Sequence, residues 1–425
     1  MARLARREGV GRFVRRLACL LTIAAMTGIA VVARAQTPQA APAGAPLTLS
    51  EAEARALTSN PTIVAARLQH PVDEAGVAVA RERPNPDLSF VNTRQTPVNT
   101  VSLSVPFELG GKRSRRIELA QAALASGDAV LAQTIAGVEN DVRRAYYQLL
   151  AAEASVNLAQ DAQTIAQRAR DAAQARFSAG EVPQSDVYQA DLDLASAEDD
   201  TADARGEALA ARAELNTLLG QPASAPLTLA DDLAAPGPIP TLPQALAQAS
   251  QINTELAVLD KQIAQQAAQV NVARSQRVPD FNAGAGLSWD AAPDFSVGWS
   301  VTFDMTLPIF TSHRAGVQVE TAELGRLHAA RNARALAIAG DVEAAYARLS
   351  SARARMEQFR TRSLPLSTQV EQMAQRAYAS GEKGLTDLLQ ALQQVRDIRQ
   401  KALQSNLDFQ LALADLEQAI GAPIR

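Results

Sequence analysis

Cysteine is almost missing from this chain: Cys19 is the only one in 425 residues, so no disulfide framework or thiolate metal site organises it. Histidine is scarce too. His70, His313 and His328 are scattered, with no paired-His or His-carboxylate spacing of the kind that builds zinc or copper sites, and a lone histidine on a helix is usually a surface residue. Aromatic residues reach only 4%, which argues against a large conventional core. No Walker-type or dinucleotide-type glycine motif occurs. The chain is therefore not expected to be an enzyme or to need a cofactor. Past the N-terminus, no uninterrupted apolar run approaches the ~20 residues of a membrane-spanning helix, so any entry into a membrane must be made by β-strands. What abounds is Ala, Gln, Arg and Glu, the composition of long helices with thin, small-residue contacts.

The first 35 residues stand apart. Arg-rich Met1 to Arg16 leads into an apolar run from Leu17 to Val32 and then Ala33-Arg34-Ala35, the pattern of a secretory signal cleaved before Gln36. The alternative, an N-terminal anchor, is disfavoured by the shortness of the run. Cys19 leaves with the signal, and its place behind Arg16 does not fit a lipid-attachment box. What stays has 34 basic and 44 acidic residues, a net charge near -10. An exported acidic chain is a poor nucleic-acid binder.

The rest of the sequence repeats itself. Thr48-Leu49, Ala52 and Asn60 are echoed by Thr241-Leu242, Ala245 and Asn253; Asp141-Val142, Ala145-Tyr146 and Leu149 by Asp341-Val342, Ala345-Tyr346 and Leu349; Gly180-Glu181 and Asp186 by Gly381-Glu382 and Asp387. The order is kept throughout, so the copies are tandem, at 48–222 and 241–425. Residues 36–47 are Pro/Ala-rich and read as a flexible linker, and 223–240 as an inter-repeat linker, since Gln221 to Pro240 holds five Pro and one Gly.

Within the first copy no proline occurs between Pro106 and Pro183, and Leu131, Ile135, Val138, Val142, Ala145, Leu149, Ala152, Val156 and Ala159 alternate steps of four and three. That seam predicts a long coiling helix over about 112–178, flanked by half-length helices at about Leu49 to Arg83 and Val182 to Leu219. The second copy repeats the scheme, with a rod at about 315–379 between halves at Leu242 to Arg277 and Leu385 to Ile420. Pro71 and Pro365 predict kinks in their helices. Between first half-helix and rod the period changes to two. Phe295, Val297, Trp299, Val301, Phe303, Met305 and Leu307 alternate with small polar residues, as do Phe281 to Trp289 just before them. Hairpins are expected at about 87–106 and 280–308. Strands of about ten residues, apolar on one face and small-polar on the other, with Trp289 and Trp299 on the apolar face, suit a membrane β-barrel. Four strands cannot close one, and lipid does not tolerate an open edge, so several chains must share it.

Signal, tandem half-helix, hairpin, rod and half-helix, together with the tip motifs below, resemble the TolC-type outer-membrane efflux channels over essentially the whole mature chain. Pro106-Phe107-Glu108-Leu109-Gly110-Gly111-Lys112-Arg113 is similar to the branch serving heavy-metal pumps of the cobalt-zinc-cadmium type; the second-copy counterpart, Leu307 to Arg314, lacks the Asn-Gln-Gly common there. The resemblance implies a mainly α protomer of long coiled-coil helices with a pair of membrane β-hairpins. Three protomers would build a twelve-stranded β-barrel continued by an α-helical periplasmic tunnel, with strand residues Trp289, Phe295, Val297, Trp299, Val301 and Phe303 facing lipid.

Arg176 to Asp186 and Tyr378 to Asp387 join each rod to the next half-helix. Gly180 and Gly381 suit helix ends needing positive φ, and Ser185 and Thr386 the first turn of the following helix. The bland reading is a pair of sharp turns. The resemblance makes this end a closed periplasmic entrance, in which Asp387 stands at the constriction, Lys383 is the basic gate residue and Asp186 its acidic partner. Gly180, Glu181, Ser185, Gly381, Glu382, Leu385 and Thr386 would then form the tip that meets an adaptor. Copies of Asp387 around an axis would concentrate cations.

The function so implied is a passive exit duct in the outer membrane of a Gram-negative bacterium. It would be a homotrimer with a large periplasmic portion, docked to a periplasmic adaptor (membrane fusion) protein and an inner-membrane RND-type transporter, exporting heavy-metal cations. The same fold could instead serve multidrug efflux or type I protein secretion, and a non-pore periplasmic coiled-coil protein is the rival from another class.

Overall fold

The structure, a computed structural model, describes residues 46–235, 239–291, 294–307 and 309–424, without the side chains of Ala291 and Phe295. The expected signal and most of the first linker lie outside the described residues. From residue 46 onward the chain forms one compact unit. Its elements run α1 (Leu49–Ser59), α2 (Pro61–Arg67), α3 (Gln69–Arg81), β1 (Asp87–Asn92), β2 (Asn99–Phe107), α4 (Lys112–Ser178), α5 (Gln184–Leu218), α6 (Leu242–Ile252), α7 (Thr254–Ser275), β3 (Phe281–Ala291), β4 (Phe295–Met305), α8 (Arg314–Gln358), a π-helical turn (Phe359–Ser363), α9 (Leu364–Ala379) and α10 (Leu385–Ile420).

Each expected first half-helix is interrupted where an asparagine takes over as N-cap. Asn60 Oδ1 accepts from Thr62 N at 2.9 Å and Ile63 N at 3.2 Å, and Asn253 Oδ1 accepts from Glu255 N and Leu256 N at 2.9 and 3.2 Å, so these side chains satisfy amides that would otherwise be orphaned. Each also donates across the repeat, Asn60 to Leu218 O and Asn253 to Ala419 O. The incoming helix thereby holds the carboxyl end of the outgoing one. Gly220 and Gly421 end those outgoing helices at φ 68° and 89°. A Cβ on Gly220 would stand 2.3 Å from Ser59 O, and one on Gly421 2.7 Å from Asn253 Cα, so only glycine permits both the turn and the close approach. Asn60 and Asn253 are repeat-signature residues, and this joint, closed by Gly220 and Gly421, is what they build. Around it lie two equivalent cores. Val138, Val142, Ala145 and Leu149 of α4 pack with Leu215 and Leu219, and Ile338, Val342, Ala345 and Leu349 of α8 with Leu416 and Ile420.

The first rod is one unbroken α-helix of 67 residues, about 100 Å at 1.5 Å per residue. The second is continuous too, but it carries the π-helical turn at 359–363 just before Pro365. The repeat offset is 200 at Leu149/Leu349 and 201 at Gly180/Gly381. The π turn absorbs that extra residue just before Pro365, which has no N–H to donate, and the rod continues past the proline. In α3, Pro71 sits in the first turn, where its missing N–H costs nothing.

The described parts of the segments read as linkers are held. Leu47 pairs with Leu229 in a parallel bridge, and Tyr146 Oη, fully buried, donates to Leu47 O at 2.8 Å. Asp231 accepts from Leu49 N at the start of α1. Gln410 Nε2 donates to Leu233 O and Ala235 O at 3.0 Å. Proline prevents helix here without preventing order. His70 ties α3 to α4 through Asp128 at 2.7 Å, with Glu74 at 3.4 Å.

Two predictions follow from these ties. Tyr146→Phe should cost about 1 kcal/mol in denaturant unfolding, the net value of one lost hydrogen bond. The hydrogen bond that His70 donates to Asp128, and then the nearby carboxylate charges, hold the His70 pKa above its usual 6.5. A raised folded-state pKa stabilises fully below the unfolded value, and that support is lost as pH rises through the raised one. Tm measured from pH 5 to 8 should therefore fall more shallowly in His70→Gln than in the parent.

Candidate functional site

The sheet is antiparallel in the order β1-β2-β3-β4. Its register aligns Val105, Ala283 and Phe303, then Leu103, Ala285 and Val301, then Val101, Leu287 and Trp299 on one face. The other face carries Ser104, Gly284 and Thr302, then Ser102, Gly286 and Ser300. Gly284 and Gly286 leave room for hydroxyls, since their Cβ atoms would meet Thr302 Oγ1 at 2.5 Å and Ser300 Oγ at 2.9 Å. On the apolar face Trp299 is 80% and Phe303 75% exposed, with Val297 and Val301 also open. Trp289 is half-buried beside Phe90, ring centroids 6.3 Å apart. Phe295 begins β4, but its side chain lies outside the described residues. So large an uncovered apolar surface marks a contact with lipid or protein. No helix among the described residues is long and apolar enough to cross a membrane.

The junction of sheet and rod is a clamp. Gly110 and Gly111 take φ 69° and 70° in succession, and a Cβ on Gly110 would stand 2.7 Å from Val278. Lys112, nearly buried, pairs with Asp280 of the second copy at 2.7 Å. Arg113 and Arg116 donate to the carbonyls of Ala80, Arg81 and Glu82 at the end of α3, which have no intrahelical partners. In the second copy His313 occupies the corresponding left-handed position, at φ 52°. Among the described residues no group of three or more His, Cys, Asp or Glu could hold a metal ion.

At the far end, both rods stop in the same turn. Gly180 (φ 78°) donates to Phe177 O and Glu181 N to Arg176 O; Gly381 (φ 77°) donates to Tyr378 O and Glu382 N to Ala377 O. These are glycine-terminated Schellman ends. Asp186 and Asp387 fall in the first turns of α5 and α10, where the helix dipole favours a carboxylate.

One family model, described as outer membrane efflux protein, matches residues 54–221 and 245–422. The chain belongs to the outer membrane efflux protein family. It is 28% identical over 356 residues to the cobalt-zinc-cadmium resistance protein CzcC of Cupriavidus metallidurans, covering 82% of this chain and 84% of that one. It is 34% identical over 227 residues to the nickel and cobalt resistance protein CnrC of the same organism, about half of each chain. Among solved structures, that of CusC superposes with a TM-score of 0.73 at 17% identity, over 88% of this chain and 92% of that one. The fold is thus that of an outer-membrane channel, and the resemblance drawn from the motifs holds.

Within this efflux protein Lys383 and Asp387 belong to one tip and Asp186 to the other. Lys383 does not pair with Asp186 in the chain. Its Nζ lies 4.0 Å from Asp387 Oδ2, one helical turn on, while Asp186 accepts from the Ser185 hydroxyl at 3.4 Å. Leu385, expected at an adaptor-facing surface, is buried with Ala173, Ala190, Tyr378 and Leu388 in the core that joins the two hairpins, because its apolar side chain is the first that α10 can turn inward. Gly180, Glu181, Ser185, Gly381, Glu382, Thr386 and Asp387 are exposed, and Asp186 is half-buried.

Sequence reasoning passed over Arg176 and Tyr378. The Arg176 guanidinium lies 5.2 Å from the Tyr378 ring centroid and pairs with Glu181 at 3.2 Å, so a cation–π contact ties hairpin to hairpin. The repeat held the clue, since Tyr378 stands where the first copy has Phe177. The Tyr378 hydroxyl is buried without a partner, a costly arrangement. Tyr378→Phe should therefore leave thermal stability unchanged or raise it, whereas Arg176→Ala should speed proteolytic nicking at the tips.

Proposed function

We propose that this protein is the passive outer-membrane duct of a tripartite efflux system, three chains sharing one barrel, and that its cargo is heavy-metal cations. The observation that carries the duct is the sheet, which offers a lipid-suited face opposite a face of Ser, Thr and Gly. A chain with no such wet inner face would be a structural coiled coil. Cargo is supported by the names of CzcC and CnrC and by the acidic mature chain. Partners would be a periplasmic adaptor and an inner-membrane RND-type transporter, engaged at the exposed tip residues Gly180, Glu181, Ser185, Gly381, Glu382 and Thr386.

At the entrance, Asp387 copies facing one axis would attract cations and repel each other, while Lys383 one turn away tempers that field. Asp186 would meet Lys383 only across chains or in another state of the tip. Exposed pairs of this kind are weak, so docking of a partner suffices to open them.

Accumulation in a deletion strain tests the cargo. Excess zinc, cobalt or cadmium with normal uptake of a hydrophobic dye is the expected result; excess dye with normal metal would make it a drug duct of the same fold. Lys383→Ala with Asp186→Ala should raise conductance of the assembled channel in planar bilayers, and unchanged conductance would place the lock elsewhere.

A further inference from the structure

Where the sheet meets the helices, the charge of the chain changes sign. Four stretches reach that level: 78–86 at the end of α3, 108–116 at the start of α4, 272–280 at the end of α7 and 306–314 leading into α8. Together they hold nine Lys and Arg but only three Asp and Glu, while the chain past its expected signal has a net charge near -10. Leu109 N donates to Asp280 Oδ1 at 3.0 Å, Lys112 pairs with Asp280 and Arg116 with Glu108, each at 2.7 Å, and Arg113 donates to Arg81 O at 2.8 and 2.6 Å. Arg115 pairs with Glu118 one turn down α4. Five arginines are left over. Arg81, Arg83, Arg274, Arg277 and Arg314 are exposed and take part in no ion pair among the described residues. The opposite end of the sheet has no such excess, since its turns at 93–98 and 290–294 set Arg94 against Asp290 and Asp294.

Apolar side chains border this collar on the sheet side. Phe107, Phe281 and Met305 pair across the strand ends nearest the rods, and the rings of Phe107 and Phe281 stack at 4.9 Å. Just past them, between β4 and α8, Ile309 is 72% and Phe310 99% exposed. A bare aromatic ring beside unpaired guanidinium groups suits neither bulk water nor the middle of a bilayer. It suits the boundary between them, where acyl chain and headgroup adjoin.

We infer that the collar is a binding site for anionic phospholipid, with acyl chains over Ile309 and Phe310 and the headgroup phosphate on the five unpaired arginines. A guanidinium matches a phosphate through two parallel N–H···O bonds. Its apolar stem can lie along the strand ends while its head reaches the headgroups, and each basic side chain near an anionic surface adds to the attraction. A zwitterionic headgroup gains much less, because its own ammonium offsets its phosphate. Since the opposite rim lacks the excess, the site belongs to the leaflet on the side of the rods. The inference rests on the reading that the sheet enters a bilayer.

The test uses the full-length protein in phosphatidylcholine vesicles, with spin-labelled phosphatidylglycerol or spin-labelled phosphatidylcholine as the probe. Lipid held at the protein gives a motionally restricted signal, whose share should be several-fold larger for phosphatidylglycerol. Raising salt from about 0.1 M to about 1 M, which shortens the screening length from ~10 Å to ~3 Å, should remove most of that preference in the unaltered protein. The combined substitutions Arg81→Gln, Arg83→Gln, Arg274→Gln, Arg277→Gln and Arg314→Gln should equalise the two probes and leave the phosphatidylcholine signal as it was, whereas Arg94→Gln should keep the preference. Equal restriction of both probes by the parent, or a preference that survives high salt or the five substitutions, overturns the collar while the membrane sheet stands. Loss of the preference to millimolar inorganic phosphate, but not to chloride at the same ionic strength, would make this a site for the free anion and overturn the lipid. No restricted signal from either probe would mean that the sheet is not in the bilayer, and the collar falls with it.

Discussion

Two strand edges decide how this chain can exist. β1 and β4 are the outer strands of its sheet, and within one chain each keeps a row of backbone amides and carbonyls without ladder partners. In water such an edge is a liability; in hydrocarbon it is forbidden, because each unsatisfied group costs several kcal/mol. The apolar face around Trp299 and Phe303 is uncovered by any helix among the described residues, a surface that marks a contact with lipid or protein. On the reading that the sheet enters a membrane, joining other sheets edge to edge would meet both demands.

The helical part gains its regularity from one joint used twice. An asparagine caps a helix with its carbonyl and holds a neighbouring helix end with its amide, while a left-handed glycine lets the two ends touch. Placed at Asn60 and Gly220, then at Asn253 and Gly421, it sets the two halves into one pattern and carries the two cores beside it. Where the copies differ, the difference is local. One extra residue in the second rod is absorbed as a π turn, and the rod reaches its tip in phase with its twin.

Much of this was legible in the sequence, because long helices, a period-two hairpin and a tandem repeat are all statements about spacing. The rods, the strands of both hairpins and the half-helix at Leu385 to Ile420 lie where the periodicity put them. What spacing could not show was the reach of single side chains. The breaks at Asn60 and Asn253 depend on a capping amide bonding to a helix end more than 150 residues away in the chain. The places of Leu47, Leu233 and Ala235 depend on the side chains of Tyr146 and Gln410 reaching their carbonyls, and that of Leu49 on Asp231 accepting from its amide. At the tip, motif positions pointed to charges, but a leucine was wanted by the core and Lys383, in the turn before α10, lies beside the carboxylate of Asp387 four residues on. Arg176 and Tyr378 escaped notice since a cation–π contact between hairpins leaves no local pattern.

Both tryptophans of the protein, Trp289 and Trp299, lie in the sheet, so their fluorescence reports on it alone. The most direct test of the account is their emission in vesicles whose acyl chains carry bromine at defined depth. A barrel in the bilayer predicts blue-shifted emission strongly quenched by the brominated lipid and little by aqueous iodide. Red-shifted emission, quenched by iodide and indifferent to brominated lipid, would mean that the sheet never enters the membrane and that the duct does not exist.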